Sequence, residues 1–137
     1  MSRKSKAYVL DAWAVLAYLE DEKVGPKVAE LMGTAIEQGA PLLMCVVNAA
    51  EVWYILAREV SEADAEKSIQ TLRQMGVQFV DADWNLARQA GALKSKHRMS
   101  FADCFAAALA LQHKAELVTG DREFKQVESE VRVRWLE

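Results

Sequence analysis

The sequence predicts an α/β fold, a three-layer sandwich with helices on both sides of a mostly parallel sheet. Short apolar runs of strand length alternate along the chain with longer stretches of helical periodicity. Tight hairpin signals are scarce, with six Gly and two Pro in 137 residues, so successive strands must be joined through helices. No repeat, linker or break in composition divides the chain, and a single domain over 1–137 is expected.

The elements follow in order. Residues 7–10 form an apolar strand ending at Asp11, and 12–20 form a helix with Val15, Leu16 and Leu19 on one side. Pro26 is expected at the first position of a second helix, where its missing N–H costs nothing. Val28, Leu31, Met32, Ala35 and Ile36 recur at the spacing of one buried face, and Gly39 ends the helix. The run 42–47 is continuously apolar, as in a strand covered on both faces. Two helices are expected over 49–59 and 62–75, the second capped by Ser61 and closed by Gly76. A third strand covers 77–80. Helices over 84–96 and 101–113 start at the caps Asp83 and Ser100, a fourth strand covers 116–118, and 131–135 alternates like an edge strand.

Composition excludes several classes. Hydrophobic residues make up 52% and charged residues 27%, which is neither disordered nor low-complexity. The longest charge-free apolar stretch, 39–50, is too short to span a bilayer. The basic start (Arg3, Lys4, Lys6) leads into an apolar run that Asp11 interrupts, so no signal peptide is expected. Cys45 and Cys104 lie far apart with no Cys/His cluster, which points to a reduced, cytoplasmic protein without structural zinc. Net charge is −3 and pI about 5.5, against a nucleic-acid binder of the basic-patch kind, though not against an enzyme that meets phosphates through metal ions.

Sites in parallel sheets form at the C-terminal ends of strands. Asp11 follows the first strand there, and Asp121 lies just beyond the fourth. Glu51 is placed in the first turn of the helix after the second strand, and Asp103 in the first turn of the helix leading into the fourth. Four gathered carboxylates repel one another and need cations. Hard oxygen donors without Cys or His suit Mg²⁺ or Mn²⁺, and such a site can serve in-line displacement at a phosphodiester. Each acid also has a purely structural role open to it. Asn48–Glu51 and Ser100–Asp103 have the spacing of capping boxes, and Asp121 after Gly120 suits a turn. Asp11 has a cap to make only if it opens the next helix.

The blocks YVLDAWAVLAYL (8–19), NAAEV (48–52), SFADCFAAA (100–108) and LVTGDREF (117–124) together resemble the PIN domain, and more narrowly the VapC-type ribonuclease toxins of toxin–antitoxin pairs. The resemblance covers nearly the whole chain, with the blocks in family order. It implies a five-stranded parallel sheet, a divalent metal and endonucleolytic cleavage of RNA leaving a 5′-phosphate. It maps the metal-binding, catalytic acids onto Asp11, Glu51, Asp103 and Asp121, with Thr119 as a supporting hydroxyl. It also implies a VapB-like antitoxin partner and a homodimer. One departure is Ala12, where many relatives carry Ser or Thr, so a hydroxyl is missing from the edge of the site.

Other residues carry further expectations. Glu123 is either an outer acid or a helix-start residue favoured by the dipole. Lys94, Lys96 and Arg98 could hold the RNA backbone, or only complement a helix C-terminus. His97 and His113 have no nucleophile partner, against a Ser/His or Cys/His hydrolase. Trp13, Tyr18, Trp53 and Tyr54 exceed what core packing needs and offer an antitoxin-binding surface. The rivals are an inactive PIN-like interaction module and a housekeeping PIN nuclease.

Overall fold

Strands of three or four residues that are apolar on both faces need cover on both sides, and the chain supplies it in two unequal layers. The computed structural model describes residues 6–137; Arg3 and Lys4 of the basic start lie outside them. The strands are β1 (Tyr8–Leu10), β2 (Leu42–Cys45), β3 (Val77–Val80), β4 (Glu116–Thr119) and β5 (Val133–Trp135). The helices are α1 (Ala12–Leu19), α2 (Gly25–Glu37), α3 (Val46–Glu59), α4 (Glu62–Gln74), α5 (Trp84–Lys96) and α6 (Phe101–His113). The five strands form one sheet in the order β3-β2-β1-β4-β5, with every neighbouring pair parallel.

Side-chain alternation assigns the layers. Tyr8, Leu10, Leu42, Met44 and Val118 point into one core with residues of α1–α4. Val9, Leu43, Cys45 and Leu117 point into the other, against α5 and α6. Helix α6 is buried over seven consecutive residues, Cys104 to Ala110. Four of those are Ala, and small side chains let the helix lie close to the sheet.

Several expectations hold to the residue. Asp83 accepts from the Leu86 N–H at 2.9 Å and caps α5, and Ser61 accepts from the Asp64 N–H and caps α4. Gly39 and Gly76 adopt φ of +70° and +101°, the left-handed region where a helix turns off into a strand.

Others are corrected. β2 stops at Cys45, and Val46 and Val47 belong to the first turn of α3 rather than to the strand. Helix α3 therefore starts three residues earlier than expected. Asn48 is not a cap, Asn48–Glu51 is not a capping box, and Glu51 lies in the second turn. Pro26 is the second residue of α2, behind Gly25. Ile36 is 53% exposed instead of buried. β4 extends to Thr119, and β5 begins only at Val133. A 3₁₀ helix, Arg122–Val127, fills the stretch after Asp121, so Glu123 does stand at a helix start.

In strand order, β1 is followed on one side by β2 and on the other by β4. The chain reverses direction across the sheet between β1 and β4, which is where open parallel sheets leave a crevice. Asp11 and Asp121 stand at the ends of those two strands.

Candidate active site

Asp11 is buried to 1% exposure at the end of a central strand, and both its oxygens are committed. Oδ1 accepts from the Ala14 N–H at 2.8 Å, so Asp11 does cap α1. Oδ2 accepts from the Thr119 hydroxyl at 2.5 Å. Thr119 in turn accepts, through Oγ1, the Asp121 N–H at 2.9 Å, which links the ends of β1 and β4 through one hydroxyl. Burial pushes the Asp11 carboxyl up to about 7, against the pull of the Thr119 and Ala14 bonds, and the charges of Asp103 and Asp121 add to the rise.

Asp103 sits in the first turn of α6. Ser100 caps that helix by accepting the Asp103 N–H at 3.1 Å, but the reciprocal half of the box is taken elsewhere. The Ser100 N–H donates to Glu123 Oε1 at 3.2 Å. Glu123 thus ties the 3₁₀ helix to α6, and the Asp103 carboxylate turns toward the acids. Oxygens of Asp103, Asp121 and Glu123 all lie within 4.8 Å of one another. Burial lifts Asp103 to about 7 as well, helped by Asp121, Glu123 and Glu51 and opposed by Ser100. Glu51 is raised too, by burial and then by Asp121, with the Asn48 amide opposing. Asn48 itself is fully buried and donates from Nδ2 to the Ala102 carbonyl at 3.0 Å, which clamps α3 to α6.

The structure therefore brings Asp103, Asp121 and Glu123 into one carboxylate group, with Asp11 and Glu51 within electrostatic reach of it. All donors are hard oxygens at one sheet edge, and such a set fits a divalent cation of the Mg²⁺ or Mn²⁺ kind.

The remaining candidates separate. Lys94 Nζ donates to the Met99 carbonyl at 2.6 Å, fastening the turn between α5 and α6. Lys96 and Arg98 are exposed. His97 faces Glu130 at 3.2 Å. Trp53 Nε1 donates to Glu66, Tyr18 is half-buried, and Tyr54 is 45% exposed with the Arg58 guanidinium over its ring. The Trp13 ring lies against Gly120, so closely that any Cβ at position 120 would overlap it. Sequence reasoning missed this contact, the Asn48 clamp and the Ser100–Glu123 bridge. Only Gly120, between Thr119 and Asp121, left a local signal for any of them.

Carboxylates at the switch point of a parallel sheet define an α/β protein with an acidic site suited to phosphate chemistry through metal ions. A family model described as the PIN domain matches residues 8–130, and the chain belongs to that family. A comparison with curated protein sequences finds no match. Among solved structures, the chain is similar to one in a DNA-bound VapBC from Salmonella typhimurium, with TM-score 0.73 and 14% identity, covering 96% of this chain and 99% of that one. It is also similar to one in VapBC2 from Rickettsia felis bound to a promoter DNA fragment (TM-score 0.72, 16% identity, 93% and 97% covered). A third is VapC20 from Mycobacterium tuberculosis, a toxin that cleaves the sarcin–ricin loop (TM-score 0.70, 17% identity, 88% and 95% covered). At these identities the likeness is one of fold.

Two outcomes follow for the isolated chain. Asp11 and Asp103 bind protons more tightly folded than unfolded, with folded values about 7 against 3.8. Their contribution is complete below about 4 and is lost as pH rises through about 7. In EDTA, urea stability should therefore fall between pH 5 and 8, by at most ~1.4 kcal/mol per pH unit for Asp11, and Asp103→Asn should flatten the slope. A stability that rises across that window would contradict the assignment. Separately, Gly120→Ala should destabilise by ~1–3 kcal/mol through overlap with Trp13. Combining it with Trp13→Leu should cost less than the sum of the two single changes; strict additivity in denaturant melts would count against the contact.

Proposed function

We propose that this PIN-family chain is a divalent-metal-dependent endoribonuclease and the toxin member of a VapBC-type pair. The carrying observation is the grouping of Asp103, Asp121 and Glu123, with Asp11 and Glu51 beside them, at the β1–β4 switch point. Like charges packed this closely are stable only with protons or cations among them, and at neutral pH a cation is the effective neutraliser.

In this reading Asp103, Asp121 and Glu123 hold the cation, and Asp11 and Glu51 complete its negative surroundings. Glu123 thereby takes a larger part than the outer role the sequence suggested. When bound, Mg²⁺ or Mn²⁺ supplies positive charge against the phosphate oxygens and acidifies water for hydrolysis. The chain's own residues do the positioning. Thr119 and the Ala14 N–H fix both oxygens of Asp11, Glu123 sets the 3₁₀ helix against α6, and Asn48 keeps α3, and so Glu51, facing the group. No histidine serves as base: His97 is directed to Glu130.

RNA as substrate is supported by the family and by the described activity of VapC20, a neighbour in fold. A VapB-like antitoxin is supported by the VapBC complexes among the fold neighbours. The acidic group is a natural receptor for an antitoxin Arg, which pairs bidentately with carboxylates. The exposed Tyr54, with the partly buried Trp53 and Tyr18, supplies an apolar docking face, whereas Trp13 serves chiefly to pack Gly120. We place the chain as a homodimer in that complex, acting in the cytoplasm. Among the described residues no helix is long and apolar enough to cross a membrane.

The test is cleavage of total cellular RNA by purified chain. Mn²⁺ should support cleavage and EDTA abolish it, and Asp11→Asn or Asp103→Asn should lower the rate ~100-fold or more, the equivalent of several kcal/mol. The product of the adjacent small gene should bind and suppress it. Cleavage indifferent to EDTA would overturn the mechanism. Inactivity with intact partner binding would favour an interaction module, and activity without any such partner a housekeeping nuclease.

A further inference from the structure

Among the described residues no ion pair reaches the acids of the site, and the basic group on the α5–α6 side is partly spent, with Lys94 fastened to Met99. At the 3₁₀ helix, next to the last acids, lies a small cavity of about 220 Å³ walled by Gly120, Arg122, Lys125, Glu128, Trp135 and Glu137. Its place in the sheet is fixed by register. Trp135 of β5 pairs with Thr119 of β4, and Thr119 bonds Asp11, which directly follows β1. Asp11, Thr119 and Trp135 thus stand in a row along the C-terminal edge. Trp135 lies one strand beyond the residue whose hydroxyl organises the acids, the two backbones being paired at a strand spacing of ~4.8 Å.

The chemistry of this cavity differs from that of the acids. The indole is held by its own N–H, which donates to Glu128 Oε2 at 2.7 Å. That bond engages one of the two acids in the wall and fixes the ring in advance. Lys125 Nζ stands over the ring at 5.9 Å, and the exposed Arg122 directly follows Asp121. An oriented aromatic ring with cations at it is what single-stranded nucleic acid requires, the base taking the ring as Lys125 swings from it to the phosphate. The volume accepts one base and not a stacked duplex end.

We propose that this cavity is a subsite for one unpaired ribonucleotide adjacent to the scissile phosphodiester, its base on Trp135 and its phosphate on Arg122 and Lys125. The proposal rests on the nuclease reading for the neighbouring phosphodiester, but the binding it describes stands apart from cleavage. It makes the substrate a single-stranded or looped segment, and it draws the RNA across the 3₁₀ helix and β5 rather than across Lys94 and Lys96.

The experiment is equilibrium binding of a short fluorescent single-stranded oligoribonucleotide to the full chain in Ca²⁺ without Mn²⁺, then cleavage of the same oligonucleotide in Mn²⁺. Trp135→Ala should weaken binding about tenfold, while Trp135→Phe, which keeps an aromatic face, should retain most of it. Arg122→Gln with Lys125→Gln should weaken binding and lower the slope of log K against log salt by about 0.7, as for one lost phosphate contact. In cleavage, KM should rise with kcat held. The surface pair Arg122 and Lys125 decides the outcome if Trp135→Ala lowers the melting temperature. Unchanged affinity and salt slope in that pair, or no single-strand binding by the parent chain, would overturn the subsite. Binding that follows this pattern without Mn²⁺-dependent cleavage would keep the subsite and overturn the nuclease reading.

Discussion

The bond between the Thr119 hydroxyl and the buried Asp11 carboxylate is the interaction on which the site depends. A carboxylate removed from water at the end of a central strand is costly unless its oxygens are satisfied. Asp11 satisfies one on the first turn of α1 and the other on Thr119. Because Thr119 also accepts the Asp121 N–H, the same hydroxyl sets where the next acid stands. Trp13, two residues after Asp11, packs on Gly120, so the turns after β1 and β4 are joined by one polar and one apolar contact. Position 120 is closed to any side chain for that reason. It is not a matter of φ, since Gly39 and Gly76 are the glycines with positive φ.

From that link outward, the acids accumulate charge faster than the fold neutralises it. Among the described residues the ion pairs lie at Glu116 and Glu130, away from Asp11, Glu51, Asp103 and Asp121. What the fold supplies instead is rigidity: Ser100–Glu123 and Asn48–Ala102 fix α6 against the 3₁₀ helix and α3. A site held rigid against its own repulsion is suited to a cation.

Much of this was legible in the sequence where local rules suffice. Helices α5 and α6 begin and end as their caps and periodicity predict, because Asp83 and Ser100 act on N–H groups three residues away. The β2–α3 boundary was not legible, since the β-branched Val46 and Val47 continue an apolar run and no capping side chain marks the helix start at Cys45. Strand order was also beyond it. That β4 lies beside β1, and that Trp135 therefore stands level with Thr119, follows from long-range packing. Asp11, Asp121 and Asp103 were legible from their places after strands and in a first turn, whereas Glu51 lies one turn further into its helix than its spacing suggested. The Ser100–Glu123 bridge, which decides that Asp103 faces the cluster instead of closing its own cap, spans 23 residues and has no local signature.

The central claim is that these carboxylates form a cation receptor whose mutual repulsion is relieved by the ion. Thermal unfolding at pH 8 tests it most directly, on the parent chain and on Asp103→Asn, each in EDTA and in Mn²⁺. In EDTA the variant should melt no lower than the parent, because it has lost a source of repulsion. Mn²⁺ should raise the parent's melting temperature and leave the variant's nearly unmoved. An unmoved parent, or equal rises in both proteins, would contradict the account.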